Sequence, residues 1–214
     1  GPCPACVSRS TGEDPSWTLT TEQPLEPGSL IKGRFLLEQR VGAGGMGVVF
    51  KARDLRKEEA QDRDPYVAIK LLNPDFRRHP EALKALQRET RRAQSLAHPN
   101  VVTVHDFDRD GTLIYMTMEF LSGAPLQAFI QRHPQGLRFK EAWPVIEGAG
   151  RALMYAHEQG VIHADFKPGN VFVSDRKAKV LDFGIARAVE AQGGVAEGTR
   201  FDAGTLGALT PAYA

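Results

Sequence analysis

The chain has 214 residues, of which 42% are hydrophobic and 25% charged, and its formal net charge is +1. These proportions are ordinary for a soluble globular protein, and the near-neutral charge argues against binding of nucleic acid or anionic lipid by the chain as a whole. No apolar run approaches the roughly 20 residues that a membrane-spanning helix needs. We therefore expect no nucleic-acid partner and no membrane contact within this chain.

Residues 1–29 are rich in Pro, Ser, Thr and Glu and lack hydrophobic periodicity, which predicts a flexible linker. This segment holds Cys3 and Cys6 in the order Cys-Pro-Ala-Cys. The spacing suits half of a zinc site, but such a site takes about four ligands and no second pair follows. With no other cysteine present, we expect a reducing, cytoplasmic setting, while the parent protein could still be membrane-anchored.

Strand-like segments come first along the chain and helical segments dominate later. The predicted strands are 35–41, 47–53, 66–72, 101–108, 113–120, 161–162, 171–173 and 180–181. The predicted helices are 81–97, 126–132 and 144–158, while 53–64 is predicted as a surface loop and 109–111 as a turn. Ile146, Ala149, Leu153 and Ala156 are expected to form the buried stripe of the last helix. The order of elements predicts an α+β protein with two lobes.

The segment from Val41 to Val49 is rich in glycine, and positions 42, 44 and 47 therefore carry no side chain. Glycine lets a backbone approach phosphate closely and adopt dihedrals that other residues resist. A glycine-rich hairpin without such a role is the alternative. A dinucleotide-binding fingerprint is excluded, because a helix should follow its glycines and Val48-Val49-Phe50 continue as a strand instead.

Lys70 lies in the apolar run Val67-Ala68-Ile69-Lys70-Leu71. Period-two alternation places Lys70 and Ala68 on the face opposite Val67, Ile69 and Leu71. An inward lysine requires a matched charge, whereas on an edge strand it would simply be solvated. Glu89 falls in the apolar stripe of the predicted helix 81–97, so we expect it to pair with Lys70.

Two polar loops follow short predicted strands in the second half of the chain. His163–Asn170 offers a carboxylate, an ammonium and an amide, and Asp182-Phe183-Gly184 begins twelve residues after Asn170. Asn170 and Asp182 supply hard oxygen ligands of the kind that Mg²⁺ accepts together with phosphate oxygens and water. A single loop aspartate is more often a turn former, but two such loops in tandem favour a functional site.

Taken in order, these five motifs resemble the protein kinase family over about residues 30–214. The order Asp-Phe-Lys-Pro at 165–168 resembles the Ser/Thr type, and the phrases around 182–187 and 207–213 resemble bacterial, eukaryotic-like members. The resemblance implies a two-lobed kinase fold with a small β-rich N-lobe carrying one main helix. It implies an N-lobe and hinge at 30–121 and an incomplete helical C-lobe at 122–214, through the activation segment.

The resemblance also implies a function, namely transfer of the ATP γ-phosphate to a Ser or Thr hydroxyl of a protein substrate, with ATP and Mg²⁺ as cofactors. The implied catalytic residues are Asp165, Lys167, Lys70 and Glu89, and the implied metal ligands are Asn170 and Asp182. The implied nucleotide-binding residues are Gly42, Gly44, Gly47, Val49, Ala68, Lys70, Met118, Glu119, Leu121 and Phe172. Thr210 resembles the threonine that supports Asp165 and Lys167.

Two departures from the family pattern matter. Ala164 stands where an arginine commonly precedes the catalytic aspartate, so we expect weak dependence on phosphorylation at Thr199 or Thr205. The chain also ends at Ala214, where the family continues into further helices, so we expect an exposed apolar face on 144–158 that the rest of a C-lobe or a partner chain would cover. The alternatives are a nucleotide-binding or scaffolding module with little turnover, and an interaction module using the linker cysteines.

Overall fold

The computed structural model describes residues 25–44, 47–74 and 79–183. Cys3, Cys6 and most of the predicted linker lie outside these ranges, as do Thr199, Thr205 and Thr210. None of the helices in the described ranges is long and apolar enough to cross a membrane. The fold comprises two lobes, each built around its own sheet, so the predicted α+β architecture is confirmed.

The small lobe is a six-stranded antiparallel sheet with the strand order β1-β2-β3-β4-β6-β5. The strand bounds are β1 Leu30–Ile31, β2 Phe35–Gly44, β3 Gly47–Asp54, β4 Tyr66–Leu72, β5 Val104–Asp110 and β6 Leu113–Glu119. β4 lies between β3 and β6, and six of its seven residues are buried. An antiparallel sheet of this kind places alternate residues on opposite faces, which decides where Lys70 points.

The strands β5 and β6 differ from the prediction at both ends of their hairpin. β5 starts at Val104 rather than Val101, because Val101 only bridges to Val180 of the other sheet. Asp110 pairs with Leu113, so the turn consists of residues 111 and 112 instead of 109–111. Gly111 has φ +55°, a left-handed conformation that glycine adopts without steric cost.

The helix α2, Pro80–Gln94, packs on one face of this sheet. Its buried stripe is Ala82, Leu86, Thr90 and Ala93, at the spacing of a helix with one apolar face. Pro80 opens the helix where its missing N–H costs no hydrogen bond. On the opposite face of the sheet, the side chains of Val67, Ile69 and Leu71 pack in a second apolar cluster.

The segment predicted as a surface loop, 53–64, contains a short helix, α1 Leu55–Glu59. Asp54 caps this helix by accepting a hydrogen bond from the Arg56 N–H at 3.1 Å. The Asp54 carboxylate is also bound by two guanidinium N–H groups of Arg34, at 2.9 and 2.6 Å. The sequence did not reveal this helix because its apolar content is low; its cap residue, Asp54, is buried and held by a half-exposed Arg34.

The large lobe contains a three-stranded sheet in the order β7-β8-β9, with α3 and α4 around it. The bounds are β7 Ala124–Pro125, α3 Leu126–Gln131, α4 Phe139–Glu158, a 3₁₀ turn Pro168–Asn170, β8 Val171–Ser174 and β9 Lys177–Val180. The strand predicted at 161–162 is wrong, because the Val161 N–H closes the end of α4 by bonding Ala156 O. β9 also lies earlier than the predicted 180–181.

The long helix α4 begins at Phe139, five residues before the predicted start, and accommodates Pro144 in its second turn. Its buried positions are Val145, Gly148, Ala149, Ala152 and Ala156. The prediction placed Ile146 in that stripe, but Ile146 is 57% exposed. Phe139, Trp143 and Met154 are also exposed, so α4 carries an open apolar face as expected.

Candidate active site

Lys70 projects from the interior strand β4 into the space between the two lobes. It is 7% exposed, opposite Val49 on β3 and Met116 on β6. Its Nζ donates to Oδ2 of Asp182 at 2.7 Å. The alternative of a solvated lysine on an edge strand is excluded, because a buried ammonium is retained only where an opposite charge meets it.

Glu89 lies on the sheet-facing side of α2, but its carboxylate is not bound to Lys70. Oε1 of Glu89 accepts from the Arg92 guanidinium at 2.8 Å, one turn along the same helix. The predicted Lys70–Glu89 ion pair is therefore replaced in this structure by two others, Lys70–Asp182 and Arg92–Glu89. A single carboxylate suffices for the Lys70 ammonium, and Asp182 is the one that reaches it.

The loop before β8 concentrates charged and amide groups around Asp165. This residue is 8% exposed, and its Oδ2 accepts from Lys167 Nζ at 2.6 Å and from Asn170 Nδ2 at 3.3 Å. The same Asn170 amide nitrogen donates to the Asp165 main-chain oxygen at 2.9 Å. Oδ1 of Asp165 is buried and has no hydrogen-bond partner among the residues that the structure describes. A buried carboxylate oxygen without a donor is costly, which indicates a place reserved for a donor from outside.

His163 joins this loop to the segment that carries Asp182. Its Nε2 donates to the Leu181 carbonyl oxygen at 2.8 Å, while its Nδ1 accepts from the Asp165 N–H at 3.3 Å. Burial is the largest influence on the pKa of His163 and lowers it from the ordinary 6.5, although the Leu181 hydrogen bond and nearby carboxylates raise it in part. The ring is thus a neutral link between the two loops, and the sequence prediction did not include it among the site residues.

The Asn170 and Asp182 loops are also joined through the backbone, since the Leu181 N–H donates to Asn170 O at 2.8 Å. Ala164 and Asp182 both have left-handed backbones, with φ +66° and +58°. Such a conformation is strained for a non-glycine residue and often marks a functional loop. Within the described ranges, no group of three or more His, Cys, Asp or Glu is placed to hold a metal.

Comparisons with known proteins assign the chain to a family. The sequence profile described as "Protein kinase domain" matches residues 35–206. The chain belongs to the protein kinase family. The serine/threonine-protein kinases PknA and PknB of Mycobacterium tuberculosis are 35% identical over 170 residues and 38% identical over 192 residues.

These relatives are longer than the region that they share with this kinase chain. The matches cover 77% and 87% of the chain but only 38% of PknA and 29% of PknB. The crystal structure of the Mycobacterium tuberculosis PknI kinase domain has a TM-score of 0.63 and 28% identity to the chain. That match covers 76% of this chain and 64% of the PknI chain. The comparisons thus support the bacterial Ser/Thr kinase resemblance drawn from the motifs.

Four of the predicted nucleotide-binding residues belong to one apolar cluster of the small lobe. Ala68 and Met118 are buried in one apolar cluster, against which Val49 and Leu121 pack. Phe172, on β8, lies across from Lys179 of β9 and next to Gly123. Behind Met118 is a cavity of about 10 Å³ that Thr90 and Phe183 help to line, large enough for about one water molecule.

The glycine segment is a hairpin in which β2 ends at Gly44 and β3 begins at Gly47. Gly47 has φ +145°, and a Cβ there would lie 1.8 Å from the Leu71 carbonyl oxygen. At Gly42 the nearest atom to such a Cβ is Val49 Cβ at 3.9 Å. Close packing of the sheet is sufficient to require glycine at 47, and a role toward phosphate remains a prediction for Gly42, Gly44 and Gly47.

Proposed function

We propose that this chain is part of an ATP- and Mg²⁺-dependent Ser/Thr protein kinase domain that acts on a hydroxyl of a protein substrate. The observation that carries the proposal is Oδ1 of Asp165, which is buried beside the Lys167 ammonium and has no hydrogen-bond partner in the described part of the chain. A carboxylate oxygen held this way is suited to accept a hydrogen bond, and then a proton, from a substrate hydroxyl. Because ATP and Mg²⁺ are abundant in the cytoplasm, we expect the domain to act there.

In the proposed reaction, the substrate hydroxyl oxygen forms a bond to the γ-phosphorus of ATP. The bond from that phosphorus to the β–γ bridging oxygen breaks, ADP leaves, and the hydroxyl proton passes to Asp165. Lys167, already 2.6 Å from Asp165 Oδ2, would neutralise charge on the transferred group. Such transfer depends mostly on positioning and electrostatic stabilisation rather than on covalent chemistry by the protein.

Lys70, Asn170 and Asp182 would hold the nucleotide phosphates and the metal. The donor set fits Mg²⁺, which takes a carboxylate and an amide oxygen while retaining phosphate oxygens and water. Asn170 uses its amide nitrogen toward Asp165, which leaves the amide oxygen for another partner. Bound at these residues, Mg²⁺ would neutralise negative charge on the nucleotide phosphates. Lys70 contacts Asp182 in this structure and would exchange that contact for the α- and β-phosphates.

A second candidate function is nucleotide binding with little turnover, and Glu89 is the observation that favours it. Because Glu89 binds Arg92, it does not hold Lys70 in place for the phosphates. In that case the domain would bind ATP without efficient transfer. Both candidate functions use the same nucleotide-binding cleft, and they differ in the rate of phosphate transfer.

The test is transfer of radiolabelled phosphate from ATP to a generic protein substrate, with nucleotide affinity measured separately by calorimetry. Asp165→Asn should lower the transfer rate by about 10²–10⁴-fold and leave nucleotide affinity within about threefold of wild type. Asp175→Asn is the matched control, since Asp175 is an exposed turn residue whose left-handed φ of +47° asparagine tolerates.

Each outcome of this test is decisive. Transfer that depends on Asp165 but not on Asp175 supports the kinase proposal. Nucleotide binding by the wild-type protein without transfer favours the second candidate. Equal transfer rates for wild type and Asp165→Asn would remove Asp165 from the chemistry.

A further inference from the structure

The Glu119 side chain makes contacts of its own, in addition to the nucleotide-binding role predicted for this residue. Its Oε1 accepts from Lys179 Nζ at 2.5 Å and from the Thr103 N–H at 2.7 Å, and its own N–H donates to Thr103 O at 3.0 Å. Glu119 ends β6, Thr103 precedes β5, and Lys179 lies on β9 of the other lobe. We call these three residues the hinge contact.

The hinge contact adds to a backbone connection between the lobes. The Val102 N–H donates to Val180 O at 3.0 Å, and the Val180 N–H donates to Asn100 O at 2.8 Å. The Asn100 side chain also donates to Ala178 O at 2.8 Å. These hydrogen bonds hold the segment before β5 against β9. The Lys179–Glu119 ion pair also connects the end of β6 to β9.

β9 leads directly to Asp182, two residues after Val180. The end of β6 is also where the chain crosses to the large lobe and where the adenine is expected to bind. The Lys179–Glu119 ion pair therefore connects the two places that would grip opposite ends of a nucleotide. A change in the angle between the lobes would have to stretch or break it.

We propose that Lys179 is a positioning residue, which through Glu119 fixes the end of β6 relative to the Asp182 strand and so slows nucleotide release. The inference rests on the proposed function, since it assigns a part in handling the same nucleotide. The Lys179 ammonium contacts two acceptors, because its Nζ lies 3.5 Å from the Val101 carbonyl oxygen as well as donating to Glu119.

The surroundings distinguish this ion pair from the surface pairs of the molecule. The Lys179 and Glu119 side chains are 27% and 25% exposed, whereas those of Lys84 and Glu81 on α2 are 67% and 65% exposed. Exposed pairs contribute little because solvent screens them and two mobile side chains must be ordered. At the hinge contact, the Thr103 N–H already fixes the carboxylate, so less conformational freedom is lost when Lys179 binds.

The experiment compares wild type with Lys179→Met, Lys179→Arg and Lys177→Met. Methionine keeps much of the lysine stem and removes the charge, and arginine restores a cationic donor. Lys177 is the matched control, because it is an exposed lysine two residues earlier on β9. The dissociation rate of a fluorescent ADP analogue is measured by stopped flow, and exchange of the Thr103 amide hydrogen is measured without nucleotide.

Lys179→Met should raise the ADP-analogue dissociation rate by roughly two- to fivefold, the scale of one partly screened ion pair. It should also speed exchange of the Thr103 amide, while Lys179→Arg and Lys177→Met stay near wild type. Unchanged dissociation and exchange in Lys179→Met would overturn the proposal, as would equal effects of Lys177→Met. Should the wild-type protein bind no nucleotide, the proposed function fails and the exchange measurement alone decides whether Lys179 secures the hinge contact.

Discussion

The cleft contains two lysine–aspartate pairs that the chain assembles in different ways. Lys167 and Asp165 are two residues apart in one loop, whereas Lys70 and Asp182 are 112 residues apart and come from different lobes. The distances between their charged atoms are nearly equal, 2.6 and 2.7 Å. The local pair depends on the conformation of one loop, and the remote pair depends on how the two lobes meet.

The two pairs differ in how many neighbouring groups support them. The loop of Asp165 is held by His163 and Asn170, so it carries its own supports. The Lys70 ammonium is 7% exposed and has only Asp182 as an ion-pair partner within the described ranges. Loss of a partner should therefore cost more at Lys70 than in the Asp165 loop. The largest effect is expected at the remote pair, and smaller effects at His163 and Ala164 in the loop.

The largest effect is expected from Asp182→Asn, which removes the charge that meets the Lys70 ammonium. We expect the free energy of unfolding to fall by about 2–3 kcal/mol, because a buried charge loses its partner. Lys70→Met should cost about 1 kcal/mol or less, since methionine fills similar space and Asp182 still reaches solvent. Urea denaturation checks both, with Asp175→Asn as the exposed control. An equal fall in the free energy of unfolding for Asp182→Asn and Lys70→Met would contradict the expectation that an unpaired Lys70 costs more than an unpaired Asp182.

An intermediate effect is expected from His163, whose pKa is lowered in the folded protein. Above its ordinary value of 6.5, the ring is neutral in both the folded and the unfolded state and contributes no pH dependence. As the pH falls below 6.5, the unfolded state binds a proton first and stability decreases, by at most about 1.4 kcal/mol per pH unit, until the folded state is also protonated.

The check is urea denaturation at several pH values between about 5 and 8 for wild type and His163→Gln. We expect the variant to lose part of the acid-induced destabilisation. The comparison is necessary because burial also lowers the pKa of His105, which contributes in the same direction to both proteins. Identical pH dependence in the two proteins would show that His163 carries no such effect.

The smallest effect is expected at Ala164, whose φ of +66° belongs to the left-handed region. Ala164→Gly should raise the free energy of unfolding by about 0.5–1 kcal/mol, because glycine adopts this conformation without strain. Ala97→Gly is the control: Ala97 is exposed and is not among the residues with positive φ, so glycine there should lower stability slightly. Thermal unfolding of the three proteins measures both changes, and a stability loss in Ala164→Gly would contradict the expectation.

Much of the fold was readable from the sequence because its rules are local. Alternation along Val67–Leu71 follows from strand geometry and correctly placed Lys70 opposite Val67, Ile69 and Leu71. The helix around Glu89 and the hairpin around the glycines follow from equally local patterns. The early start of α4 was missed, since Pro144 indicates a first turn but is tolerated here in the second.

The amino-acid sequence is enough to place Asp165, Lys167 and Asn170 in one loop, because few residues separate them. The pairing of Lys70 with Asp182 rather than Glu89, and of Glu119 with Lys179, follows from tertiary packing. From the sequence alone, several carboxylates are equally suitable ion-pair partners for a given lysine. The choice among them is made by distances of a few ångströms between remote segments, which the packing of the two lobes sets.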